Sequence, residues 1–311
     1  MESLIFSAEA VLPVFLTMVI GWFLKNKNVL KQEFFDGVSK FVFFAATPAL
    51  LFADTSSVDF KAVFDLKYIL TMLGIFVASV GIYWIAFPLI EKNRVKAGAM
   101  IHCSFRSNFA ILGIPLLKGM LSATGVAKAE LLLALGVPVF NVLAITCLAY
   151  WSGEKGNPKK IIKNILKNPL IIGCFCGLVF SLLGIRIPSF MNTTIEYIGN
   201  TSIGLGLILM GSSFDIRKFI SGIKSTVLAV FAKLVISPVI GVSAMWLCGF
   251  RGEELMIALI FMGSSTAINS YVMAREMKSD ADYTSSVVVA TTGLSVLTLF
   301  IGIFIVKNIM I

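Results

Sequence analysis

The sequence predicts an all-α polytopic membrane protein: ten transmembrane helices forming two inverted five-helix repeats, with the fourth helix of each repeat broken and the two breaks crossing. Three observations carry this expectation: an apolar composition, ten segments long enough to cross a bilayer, and a lysine and arginine count that alternates between loops. Of 311 residues, 58% are hydrophobic and only 14% charged, and the mean hydropathy is +0.93. Soluble domains are roughly half apolar and a quarter charged. Lipid accepts helices that are apolar on every side, whereas a soluble core of this size needs a polar surface to match.

About 30 Å of hydrocarbon takes roughly 20 helical residues. Segments of that order lie at 5–24, 36–54, 68–90, 97–120, 128–151, 167–184, 193–213, 225–248, 254–275 and 283–306. No basic region precedes the first apolar run and Glu9 lies within it, so it reads as a span and not a cleaved leader. The first repeat is expected over 1–151, a cytoplasmic linker over 152–167 and the second repeat over 168–311. Cys103, Cys147, Cys174, Cys176 and Cys248 are scattered through apolar stretches without a redox or zinc spacing, and read as free packing thiols.

Alternate loops set the orientation, because lysine and arginine are retained on the cytoplasmic side. One set holds Lys25, Lys27, Lys31, Lys92, Arg94, Lys96, Lys155, Lys159, Lys160, Lys163, Lys167, Arg217, Lys218, Lys224, Arg275 and Lys278. The other holds Lys61, Lys67, Lys118, Lys128, Arg186, Arg251 and Lys307. Sixteen against seven predicts an inner-membrane protein with both termini extracytoplasmic. The net charge of +9 is then explained by topology and anionic lipid, and implies no nucleic-acid partner.

Five spans per half make any internal repeat an inverted one. Leu12-Pro13-Val14 opens a span as Asn168-Pro169-Leu170 does, and Pro48-Ala49-Leu50-Leu51-Phe52 sits where Leu205-Gly206-Leu207-Ile208-Leu209 sits, each running on to Asp59 or Asp215. Ser107-Asn108-Phe109-Ala110 in the fourth span falls opposite Ser265-Thr266-Ala267-Ile268 in the ninth. Both of these spans are polar at mid-depth and look interrupted. Pro115, lacking an N–H, is expected to open the fourth near Ile111. Paired discontinuous helices mark a transporter site, since half-helix ends aim partial charges at a substrate; two kinked but continuous helices are the plainer alternative.

Fixed charge gives the substrate its sign. Arg106 lies ten residues beyond Lys96, about 15 Å of helix, and Lys233 nine beyond Lys224, so both fall near the midplane. Glu9, Asp54, Glu196 and Asp215 all lie within a few turns of a span end. Positive charge at mid-depth beside helix N-termini suits a carboxylate; the alternative is that Arg106 and Lys233 cap carbonyls at the breaks. Asn108, Ser264, Thr266 and Asn269 are candidates for neutral hydrogen bonds to substrate, with Ser107, Gly113, Pro115 and Ser265 lining the same crossing. His102, the sole histidine, stands one turn before Arg106 and is a candidate for proton coupling. It has no serine–acid partner and no metal-ligand spacing exists, which argues against an enzyme and against any cofactor or metal.

The chain resembles the auxin efflux carrier family, which includes the plant PIN-FORMED exporters and bacterial permeases for malonate and malate. The resemblance spans the whole length and rests on Leu12-Pro13-Val14-Phe15 with Gly21, on Pro48-Ala49-Leu50-Leu51-Phe52, on Asn108-Phe109 with Gly113-Ile114-Pro115, and on Thr266-Ala267-Ile268-Asn269-Ser270-Tyr271. It implies a fold like that of bile acid symporters and sodium/proton antiporters. Spans 1, 2, 6 and 7 would form a dimerising scaffold, and spans 3–5 and 8–10 a mobile domain that moves like an elevator. Where the family commonly has a proline before the threonine of the ninth span, this chain has Ser265, so the second break is expected to be the less sharp. The function so implied is secondary transport of a small organic carboxylate; the alternative is a sodium- or proton-coupled symporter of an organic acid with the same fold.

Overall fold

The computed structural model describes residues 2–56, 65–152, 166–185, 187–214 and 216–309. Asp59, Lys61, Lys155, Lys159, Lys160, Lys163, Arg186 and Asp215, used above for orientation and repeat matching, lie outside the described residues, as does most of the expected 152–167 linker. The described residues are helical apart from short connections and one isolated antiparallel bridge between Ser107 and Thr266.

In chain order the helices are α1 (Glu2–Asn26), α2 (Gln32–Ser56), α3 (Leu66–Ile90), α4 (Arg94–Phe105), α5 (Phe109–Lys118), α6 (Ala123–Trp151), α7 (Pro169–Leu183), α8 (Ser189–Ser213), α9 (Ile216–Ser221), α10 (Ile223–Leu247), α11 (Glu253–Gly263), α12 (Asn269–Glu276) and α13 (Ala281–Ile309). Of these, α2, α3, α6, α10 and α13 are each long and apolar enough to cross a membrane. The chain is therefore membrane-embedded and multi-pass. Starts are set locally: Asp65, Asn93, Ser122 and Asn168 each accept a hydrogen bond from a first-turn N–H, at 2.9–3.1 Å. Gly184 ends α7 in the left-handed conformation, φ 65°.

Among the described residues three helices contain a π turn: Val42–Ala46 in α2, Phe109–Gly113 in α5 and Ala232–Ile236 in α10. Each ends two residues before a proline, Pro48, Pro115 and Pro238. Proline has no N–H to donate and its ring collides with the carbonyl four residues back. Widening the preceding turn moves that carbonyl aside without ending the helix.

Two packings stand out. Helix α1 lies against α8, where a Cβ on Gly21 would collide with the Ile208 backbone and one on Gly211 with the Met18 backbone. Helix α7 lies against α2 in the same way, through Gly173 on Pro48 and Gly177 on Phe52 and Thr55. Without a hydrophobic drive between helices in lipid, such close approach supplies the attraction. Thr47 and Ser202 then tie α2 to α8 by a hydroxyl pair at 2.7 Å.

A separate aromatic cluster gathers the interrupted helices. Phe76 of α3 meets Phe140 of α6 with ring centroids 4.6 Å apart, Phe140 stacks on Phe261 of α11 at 5.1 Å, and Phe109 of α5 meets Phe261 at 5.1 Å. Burying these rings together holds both crossing helices against α3 and α6.

Candidate functional site

The C-terminal ends of helices α4 and α11 meet in the buried interior, at the bridge between Ser107 and Thr266. Their last carbonyls have lost the next turn of N–H donors, and in a lipid-excluded interior each needs a replacement. The two interrupted strands supply it to each other: the Asn108 N–H donates to the Ser265 carbonyl at 2.8 Å, and the Ala267 N–H to the Arg106 carbonyl at 3.3 Å. Side chains complete the accounting. Thr266 Oγ1 donates to the Cys103 carbonyl at 2.8 Å, Ser264 Oγ to the Ile260 carbonyl at 2.6 Å, and the Thr266 N–H is accepted by Thr291 Oγ1 at 3.1 Å.

Helix α10 braces both ends through its π turn. Lys233, fully buried, donates to the Met262 carbonyl at 2.8 Å, setting a cation on the negative end of the α11 dipole. Ser237 Oγ donates to the Ser104 carbonyl of α4 at 3.2 Å, and Tyr83 Oη pairs with Ser237 Oγ at 2.6 Å. Lys233 thus has the carbonyl-capping geometry weighed above as the alternative to anion contact.

Two expectations about the breaks are corrected. The fourth span opens at Arg106–Asn108, not near Ile111; Pro115 instead shapes the π turn at Phe109–Gly113 and is itself exposed. The ninth span is as fully interrupted as the fourth, with no helix between Gly263 and Asn269, although Ser265 stands where a proline was expected. Cross-strand and hydroxyl partners satisfy the freed backbone there, so a proline is not required.

Beyond the crossing, α5 and α12 begin with N-termini that carry no side-chain cap. Around them several buried polar atoms have no partner: Arg106 Nη1, Ser107 Oγ, Asn108 Nδ2, Ser265 Oγ and Ser270 Oγ. Asn269 is half-buried against α8, its Oδ1 3.9 Å from where a Cβ on Gly206 would stand. Gly113 serves packing, since a side chain there would press on the Phe109 ring. His102 is fully buried beside Phe105, both ring nitrogens without a partner.

Sequence reasoning missed Asn141, Tyr83, Ser237 and Thr291. Asn141 is the traceable one: a lone amide ten residues from the end of a 29-residue apolar helix is costly in lipid and so marks a protein-facing position.

All-helical described residues with two broken helices meeting in the buried interior, the half-helices beyond uncapped beside a buried arginine, have the architecture of a membrane carrier. Residues 6–303 match the model of the membrane transport protein family, the auxin efflux carrier family, and the chain belongs to it. It is 24% identical over 307 residues to an uncharacterized transporter of Methanocaldococcus jannaschii, covering 96% of this chain and 99% of that one. It is 23% identical over 311 residues to a "Putative malonate transporter" of Rhizobium meliloti, covering 96% and 95%. Among solved structures, the sodium proton antiporter MjNhaP1 of Methanocaldococcus jannaschii superposes with a TM-score of 0.62 over 96% of both chains; at 10% identity the likeness is one of fold. The chain is a membrane transport protein and not an enzyme.

Proposed function

We propose that this protein is a secondary carrier of a small organic anion, bound as its carboxylate at the crossing of the broken helices. The observation that carries the reading is the buried Arg106, whose Nη1 has no protein partner, beside unpartnered donors on Ser107, Asn108 and Ser265 and two uncapped helix N-termini. Such donors are preorganised for a carboxylate and leave little reason for a cation to bind. Thr266, Ser264 and Lys233 hold the crossing in shape, Asn269 completes the site from the α12 side, and Gly113 and Pro115 set the bend of α5. The malonate in the name of the Rhizobium meliloti relative fits a ligand of this class.

The mechanism proposed is an elevator. The packing supports a ten-span inverted repeat: the glycine-lined pair of spans one and seven is the image, under exchange of the halves, of the pair formed by spans six and two. These four spans would be the scaffold, joining a second copy in a homodimer. Spans 3–5 and 8–10, bound together by the phenylalanine cluster and the braces of α10, would slide against them in the cell inner membrane, with both termini extracytoplasmic. At 100 mV, negative inside, each negative charge leaving the cell gains about 2.3 kcal/mol, so an uncoupled anion carrier exports.

One observation favours a second reading, proton-coupled symport: His102 is wholly buried with both nitrogens unpartnered, one turn from Arg106. Uptake of labelled malonate into proteoliposomes, with imposed potential, pH gradient or sodium gradient, tests both. Uptake driven by inside-positive potential alone and lost in Arg106→Gln supports the anion carrier. Uptake that requires an inward proton gradient and is lost in His102→Gln supports the symporter. No uptake of any carboxylate overturns both.

A further inference from the structure

Helix α12 starts beside the proposed site at Asn269 and ends at Glu276, eight residues or about 12 Å of helix. Its far end is tied to spans of the proposed scaffold. Glu276 accepts from Ser39 Oγ of α2 at 2.6 Å, Arg275 pairs with Asp36 of α2, and Tyr271 Oη is hydrogen-bonded to Ser213 Oγ of α8. Arg275 Nη1 also donates to Tyr271 Oη at 3.4 Å, which joins these contacts into one cluster. Helix α5 has the same plan, with its start beside the site and a lysine, Lys118, in its last turn. Its end is held differently: α5 packs on α6 and α11, and Lys118 pairs with Glu130 of α6 at 3.0 Å. One half-helix is fastened to proposed scaffold spans, the other within its own domain.

The internal repeat identifies the counterpart of the fastened end. Ser39 lies nine residues before Pro48, and Glu196 lies nine before Leu205, the residue matched to Pro48. Glu276 lies ten residues after Thr266, and Lys118 lies ten after Asn108, the residue matched to Thr266. The image of the Ser39–Glu276 contact is therefore Glu196 with Lys118, an acid with a base. In this structure each has another partner: Glu196, exposed near the start of α8, accepts from Asn192 Nδ2 at 2.7 Å, and Lys118 holds Glu130. Lys118 and Glu130 are both solvent-exposed, and such pairs contribute at most about 1 kcal/mol, so exchanging Glu130 for Glu196 costs little. The two clusters are expected on opposite sides of the membrane, since Arg275 belongs to the loops rich in lysine and arginine and Lys118 to the poorer set.

We propose that these are two alternating latches. The Asp36–Arg275 and Ser39–Glu276 contacts close the cytoplasmic side in the state described here; when the mobile domain has moved, Lys118 leaves Glu130 for Glu196 and closes the opposite side. This rests on the elevator reading and adds to it the residues that hold each end state. A switching element needs two discrete arrangements of similar energy, and the exchange of one exposed partner for another provides them. The latches are unequal. Arg275 and Asp36 correspond to Leu117 and Thr193, so the second side offers one ion pair where the first has an ion pair and two further hydrogen bonds. That inequality favours the cytoplasm-closed state.

Paired cysteines test the exchange in membranes, in the full-length chain with the exposed Cys176 and Cys248 replaced by serine. A short bis-methanethiosulfonate linker is used, because a lysine–glutamate pair holds its backbones too far apart for a direct disulfide. Ser39→Cys with Glu276→Cys reports the first latch, and Lys118→Cys with Glu196→Cys the second. Both pairs are expected to cross-link, and each cross-link to abolish uptake of labelled malonate until it is reduced. Arg275→Ala is expected to raise the rate of cross-linking between positions 118 and 196 by about two- to fivefold, the population shift that loss of one exposed ion pair supports. A merely local role for Arg275 would not reach that pair. Should Arg275→Ala not fold, Asp36→Ala is expected to have the same effect. Failure of 118 and 196 to cross-link while 39 and 276 do, or a rate indifferent to both alanine variants, overturns the alternating latch; if the 39–276 cross-link still blocks uptake, the elevator reading stands. Uptake that survives the 39–276 cross-link overturns the elevator and the latch together. In a protein that takes up no malonate, the cross-linking rates decide the latch by themselves.

Discussion

Replacing Thr266 by valine removes one hydroxyl from the crossing and almost nothing else. The side chain is fully buried, its Oγ1 donates to the Cys103 carbonyl at 2.8 Å, and its N–H is separately accepted by Thr291. Valine matches threonine in shape, so no cavity opens, but the Cys103 carbonyl near the end of α4 loses its side-chain donor. Stranding a buried acceptor costs about 1–3 kcal/mol, while interhelical hydrogen bonds in a membrane average about 0.6 kcal/mol because the unfolded reference also finds partners. Cys103 is fully buried on α4, which packs against α10 and α13, so neither lipid nor water substitutes and a loss of about 1–2 kcal/mol is expected. Reversible unfolding in mixed micelles measures it, with Thr266→Ser as the control that keeps the hydroxyl. Thr266→Val as stable as wild type, or no more damaged than Thr266→Ser, would refute the claim that side-chain donors hold the crossing together.

Other expectations follow from the same contacts. Gly211→Leu drives a side chain into the Met18 backbone of α1 and should cost at least about 1–3 kcal/mol, read as loss of folded protein on size exclusion; Gly204→Leu, with open space at its Cβ, should be tolerated. Pro115→Ala restores an N–H to α5 and lets the π turn relax, which should weaken carboxylate binding by about tenfold with stability unchanged or higher, checked by thermal shift with and without ligand. Arg275 pairs with Asp36 of α2 and Glu276 accepts from Ser39 at 2.6 Å, so these contacts bridge the proposed scaffold and mobile domain. Arg275→Ala with Ser39→Ala should change stability by no more than about 1 kcal/mol yet raise labelling of a cysteine introduced on the α2 side of that junction.

Much of the architecture was legible because membrane helices are written in composition: runs such as Leu66–Ile90 and Ala123–Trp151 are unambiguous, and the mid-depth polar clusters at Ser107-Asn108 and Ser264-Ser265-Thr266 mark the two breaks. Proline position misled by one step. Pro115 acts on the carbonyl four residues before it, and a helix answers that locally with a π turn; the true break lies where α4 finds cross-strand partners for its carbonyls, which depends on residues some 160 positions away. Lys233 was legible as a mid-depth cation with carbonyl capping as one of its two readings, but its partner, the Met262 carbonyl, was not, since it belongs to a different segment. Asn141 went unread because a single amide in an apolar helix declares that it needs a partner without declaring which one.

Equilibrium binding of malonate to the purified protein, comparing wild type, Arg106→Lys and Arg106→Gln, tests the proposed anion site most directly. The proposal predicts saturable binding that falls by about 10–150-fold in Arg106→Gln, the value of one charge-assisted hydrogen bond in a buried site, and only partly in Arg106→Lys. Equal affinity in all three proteins would contradict it and return Arg106 to a purely structural part in the crossing.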